Sequence, residues 1–164
     1  MFTQETARAR WVIGITFLVA FSLMILPLPS EIERVMPDWL LLVLIYWAMA
    51  LPAVVSIFTA FFIGMIADLL MGTLWGEQAF ALVLVTYLVV KLHQRIRVYP
   101  LTQQMIIIFL FVLLYKLIIL IIQDFLGLLP HSFSLYWISL LTSTLIWPWI
   151  FILLRDVRRR FHIS

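Results

Sequence analysis

The chain has 164 residues, of which 65% are hydrophobic and 12% charged, with a net charge of +3 and a mean hydropathy of +1.15. A water-soluble domain is about half apolar and a quarter charged, so there is too little polar surface here to cover a soluble core, and the composition predicts an integral membrane protein. The absence of cysteine excludes disulfides, zinc–thiolate sites and iron–sulfur clusters, and the long helical apolar runs exclude a transmembrane β-barrel.

Six spans are predicted, at about 11–28, 38–51, 53–71, 78–92, 101–123 and 134–154, forming a single integral membrane domain over residues 1–164. The first follows Arg8 and Arg10. It is longer than the apolar core of a signal peptide and no small-x-small cleavage site follows it, so a retained anchor is expected. Pro27-Leu28-Pro29-Ser30 ends it. Pro37-Asp38-Trp39 opens the second span, where the Asp38 carboxylate is placed to accept hydrogen bonds from the free amides of the first helical turn. Read as one helix, residues 39–70 would run roughly 48 Å against a hydrocarbon core of about 30 Å. Pro52 breaks that run, which predicts two spans in a tight hairpin. The second span is then short, and calls for tilt or local thinning of the bilayer.

The third span carries the most distinctive pattern. Ser56, Ala60, Gly64, Asp68, Gly72 and Gly76 recur at every fourth position. Positions i and i+4 stack on one helix face, so these residues predict a stripe of small side chains interrupted by one carboxyl. In lipid such a stripe lets another helix approach closely. It serves either packing within the chain or binding of a partner. Asp68 is costly there unless it faces protein or water. Lys116, in the fifth span, falls in the same half of the membrane, so an Asp68–Lys116 ion pair is sterically allowed. The alternative is that Lys116 snorkels to the headgroups.

Basic residues set the orientation. With six spans, Arg8, Arg10, Lys91, Arg95, Arg97, Arg155, Arg158, Arg159 and Arg160 share one side, and Arg34 lies on the other. Both termini are therefore expected in the cytoplasm. A five-span arrangement separates these charges almost as well, so helix length decides for six. Arg155, Arg158, Arg159 and Arg160 read as a cytoplasmic anchor that also meets anionic membrane lipid. Trp11, Trp39, Trp75, Trp137, Trp147 and Trp149 fall near predicted span ends, as indoles prefer the interface, and Trp47 sits deeper. His93, His131 and His162 lie in three separate polar segments and form no metal or catalytic cluster. No nucleophile arrangement and no glycine-rich phosphate loop is present. No catalytic residue, cofactor, metal or nucleic-acid partner is expected.

Taken in order, several short motifs resemble the bacterial rod shape-determining MreD family. They are Pro37-Asp38-Trp39, Tyr46-Trp47 followed by Leu51-Pro52, the spacing Gly64, Asp68, Gly72, Gly76, and Trp147-Pro148-Trp149-Ile150-Phe151 before an arginine-rich tail. The resemblance covers the chain from end to end, and the last cluster is similar to the gammaproteobacterial branch. Lys116 is not a recognised feature of the family. The resemblance implies an all-α bundle like the six-helix substrate-binding subunits of energy-coupling-factor transporters. It implies a non-catalytic inner-membrane scaffold of the elongation machinery for lateral peptidoglycan, with MreC as direct partner beside MreB, RodA and a class B penicillin-binding transpeptidase. The rival expectation is a substrate-binding subunit of a vitamin-type transporter, which needs a polar pocket opening outward. Its candidate residues are Glu31, Glu33, Glu77, Gln78, Gln123, Asp124 and His131.

Overall fold

A computed structural model describes residues 2–129 and 133–163, with side chains from residue 6 onward, and contains seven helices among these residues. They are α1 (Phe2–Ile25), α2 (Ser30–Val35), α3 (Trp39–Ala50), α4 (Ile57–Met71), α5 (Glu77–Ile96), α6 (Leu101–Phe125) and α7 (Phe133–Arg160). Among the described residues, four helical stretches are long and apolar enough to cross a membrane: Thr6–Ile25, Glu77–Ile96, Leu101–Phe125 and Phe133–Arg160. Of the predicted spans, the second and third correspond to shorter helices of 12 and 15 residues.

α3 forms the centre. Its sequence is apolar on every face, and a helix of that kind is buried on all sides. Every residue from Leu40 to Ala50 is buried. At about 1.5 Å per residue it is roughly 18 Å long, well short of the hydrocarbon core. α1, α5 and α7 pack around it, and α6 closes the bundle between α5 and α7. At its C-terminal end Leu51 is followed by a turn in which the Val54 and Val55 amides both donate to the Leu51 carbonyl, at 3.0 Å each. Ser56 then caps α4, its amide donating to Thr59 Oγ1 at 3.4 Å.

Two predicted boundaries move. α1 begins at Phe2, ahead of the apolar run, because residues 2–10 continue the helix without a breaker. The connection after it is not plain loop: Ser30–Val35 forms the short helix α2, which lies against α7.

The tryptophans divide differently from the interfacial expectation. Trp11, Trp75 and Trp149 are largely exposed, but Trp147 joins Trp47 in full burial. The Trp47 indole N–H donates to Thr16 Oγ1 at 2.9 Å and so ties α3 to α1. Tyr46 and Trp147 both meet Phe151, with ring centroids 5.7 and 6.0 Å apart. Proximity to a helix end misleads for Trp147 because α7 carries on to Arg160. Two of the family-like motifs, Tyr46-Trp47 and Trp147–Phe151, therefore pack on each other at the α3–α7 joint.

Candidate functional site: two carboxylates at one end of the bundle

Asp38 and Asp68 lie at the end of the bundle where α3 begins and α4 ends. Asp38, expected to cap its own helix, instead pairs with Lys116, and Asp68, for which the sequence allows a Lys116 pair, instead caps a helix.

Asp68 is 1% exposed in the last turn of α4. Its Oδ1 accepts from Thr73 Oγ1 and the Gln78 amide, both at 2.9 Å. Its Oδ2 accepts from the amides of Gly76 at 2.9 Å and Ala79 at 3.3 Å. Three of these four donors are amides at the start of α5. Such amides have no partner inside their own helix and carry the positive end of its dipole. Asp68 thus caps the next helix in the chain.

The rest of the stripe explains how the two helices come close enough. A Cβ built on Gly64 would clash with the backbone of Ala79, 2.7 Å from its amide nitrogen. Ala60 is fully buried as well, while Ser56 stands at the start of α4. Gly72 ends α4 with φ 64° and Gly76 caps α5 with φ 104°, both in the region that disfavours L side chains. The fourfold spacing is therefore one helical stripe only as far as Asp68. Beyond it the two glycines shape the turn that brings α5 back. α5 of the same chain meets the stripe at Gly64 and Asp68.

Lys116 does not reach Asp68. It is 5% exposed on α6, and its Nζ lies 3.1 Å from Asp38 Oδ2. The ammonium also sits over the Tyr136 ring, 4.5 Å from its centroid, and Tyr136 Oη donates to the Lys116 carbonyl at 2.9 Å. Asp38 stands at the N-cap position of α3, but its side chain makes no capping bond there. Its carboxylate faces the lysine, and its amide donates to Ser143 Oγ at 3.0 Å. Ser139, one turn earlier on α7, donates to the Met36 carbonyl at 2.7 Å. These contacts bind the start of α3 to both α6 and α7. A largely buried pair adds little net stability, yet losing one partner strands a charge and is destabilising.

Gln78 ties Asp68 to α6. Its amide is bound by Asp68, and its Oε1 accepts from Tyr115 Oη at 3.3 Å, next to Lys116. Buried Glu77 accepts from Gln123 Nε2 at 2.8 Å and adds an α5–α6 tie. Asp38, Lys116, Tyr115, Tyr136, Gln78 and Ser139 border a cavity of about 440 Å³, whose other walls include Met24, Met36, Leu40 and Met71. Glu33 and Arg34 also line it.

Of the other predicted residues, Arg155, Arg158, Arg159 and Arg160 lie in the last turns of α7, with the Arg155 guanidinium 5.8 Å from the Phe151 ring centroid. Among the described residues no three His, Asp or Glu side chains come together as a metal-sized group. Pro130 and His131 lie outside the described residues. Sequence reasoning missed Thr73, Tyr115, Tyr136, Ser139 and Ser143. The last two carried a signal, since two hydroxyls four residues apart share one face of an apolar helix.

The fold and site define a multi-pass helical membrane protein whose buried polar groups join helix to helix. Residues 6–157 match the family described as rod shape-determining protein MreD. The chain is 35% identical over 150 residues to the rod shape-determining protein MreD of Haemophilus influenzae, covering 90% of each chain. No solved structure matches. The chain belongs to the MreD family, a family with a role in rod shape. The transporter expectation gains nothing from these comparisons.

Proposed function

We propose that the protein is a non-catalytic scaffold of the cell-elongation complex in a bacterial inner membrane, and that it binds MreC directly. Through MreC it works beside MreB, RodA and a class B penicillin-binding transpeptidase in lateral peptidoglycan synthesis. The observation that carries this reading is the extent of the family match, which runs from within α1 to near the end of α7. The relation is thus to the whole bundle rather than to one motif. The polar groups between helices support it: Asp68, Asp38 and Lys116 are engaged in capping and pairing helices.

In this reading α3 and α4 complete six crossings, with α3 shielded from lipid by its neighbours. The fold then corresponds to that of energy-coupling-factor substrate-binding subunits. Both termini face the cytoplasm with the arginine-rich end of α7, and the carboxylate end faces outward. In-membrane photo-crosslinking tests the partner assignment. Photoreactive residues at exposed positions on each helix, such as Phe62, Leu69, Ile121 and Leu145, are expected to capture MreC from one contiguous face. Capture of MreC from no face, at normal membrane abundance, overturns the assignment.

A further inference from the structure

α1 and α7 both pack on α3 but stand apart across it, leaving a groove of about 1650 Å³. This is larger than the roughly 300–1,000 Å³ of a drug-sized pocket. Its floor includes Trp39 and Val43 of α3. Its walls are apolar: Trp11, Ile15 and Val19 on α1 face Trp149 and Leu153 on α7, and all five are more than half exposed. At the end where both termini lie, the lining turns polar, with Arg8 of α1 and Asp156, Arg160 and His162 of the α7 end all contributing to it.

We propose that this groove is a binding site for one anionic phospholipid, with its acyl chains between α1 and α7 and its phosphodiester at Arg8 and Arg160. Basic pockets between transmembrane helices on the cytoplasmic side are suited to acidic head groups. Two arginines against one aspartate leave one surplus positive charge. That matches the single negative charge of a phosphodiester such as phosphatidylglycerol better than a phosphomonoester or pyrophosphate. The other occupant that fits an apolar groove is a partner's membrane-spanning helix. A single span obeying the positive-inside rule brings its own lysines and arginines to the cytoplasmic end, where they would meet Arg8 and Arg160. Charge therefore favours the lipid. The choice rests on the orientation proposed above, but the assay below needs neither MreC nor cell shape, so the two readings fail separately.

The test is native mass spectrometry of the purified full chain, exchanged into mixed phosphatidylglycerol and phosphatidylethanolamine and then stripped stepwise with detergent. The wild type is expected to retain one phosphatidylglycerol in preference to phosphatidylethanolamine. Arg8→Gln and Arg160→Gln are each expected to weaken retention about fivefold, the factor equivalent to about 1 kcal/mol per basic residue at an anionic surface. Arg159→Gln removes the same charge outside the groove lining and should have little effect. Val19→Trp fills the groove and should abolish retention while leaving the melting temperature close to wild type. Equal retention of the two lipids by the wild type overturns the proposal. So does an equal loss in Arg159→Gln and Arg160→Gln, which would mean diffuse attraction. If Val19→Trp leaves lipid retention unchanged and instead prevents co-purification of a single-span protein, the groove is a helix-docking site and the proposal is wrong.

Discussion

Lys116 Nζ and Asp38 Oδ2 lie 3.1 Å apart, joining the middle of α6 to the first residue before α3. The pair sits in a chain expected to be surrounded by lipid, where ionisable groups persist only with partners or water. Here the partners are a carboxylate, an aromatic face and the hydroxyl of Ser143.

Removing one member should cost more than removing both. Lys116→Met leaves the Asp38 carboxylate without its cation. Breaking a fully buried pair costs about 3–5 kcal/mol, and the figure here is smaller because the Asp38 side chain is 24% exposed. The double variant Asp38→Leu/Lys116→Met should recover much of the loss. Reversible unfolding in detergent measures all three variants. Additive losses would mean that the two charges are not coupled.

Asp68 should tolerate asparagine better than leucine. Asparagine keeps one carbonyl oxygen for the α5 amides and is as good a cap as aspartate. It gives up the second acceptor, so a loss of about 1–2 kcal/mol is expected. Asp68→Leu leaves the amides of Gly76, Gln78 and Ala79 without their partner and should lose more. Thermal melting ranks the variants; equal losses for both would show that the negative charge, and not the cap, matters at this position.

Gly64→Ala should destabilise although the change is one methyl group. The new Cβ meets the Ala79 backbone, which cannot rotate away as a side chain would. Overpacking of this kind costs about 1–3 kcal/mol in soluble cores. Gly64→Leu should be worse. Wild-type melting of Gly64→Ala would refute the close α4–α5 approach.

The two termini should share the cytoplasmic side. A cysteine at Gln94 should be protected from an impermeant thiol reagent on spheroplasts, and one at His131 should react. The reverse pattern would invert the bundle and with it the outward position of the Asp38–Lys116 cavity.

Much of this architecture was legible in the chain, and the misreadings share one cause. Hydropathy marked every long helix, and Pro52 marked the break between α3 and α4, because both act locally. The roles of the two aspartates were not legible because their partners are set by tertiary packing. Asp38 sits where a capping residue belongs, yet Ser143 and Lys116 draw on it across more than 75 residues of sequence. Asp68 resembles a lone charge in a span until the turn at Gly72–Gly76 folds the start of α5 onto it. α2 was missed because six residues between prolines carry no periodic signal. Trp147 was misplaced because position along a helix does not say which face meets the core.

The central claim is that the Asp38–Lys116 charges join the helices of a scaffold and perform no chemistry. The direct measurement is cell shape in a rod-shaped bacterium lacking its own MreD and carrying the neutral double variant Asp38→Leu/Lys116→Met, with membrane abundance followed in parallel. At wild-type abundance, the account predicts rod-shaped cells and normal recovery of MreC. Round cells at wild-type abundance would contradict it, because the charges would then be needed for something other than holding the bundle together.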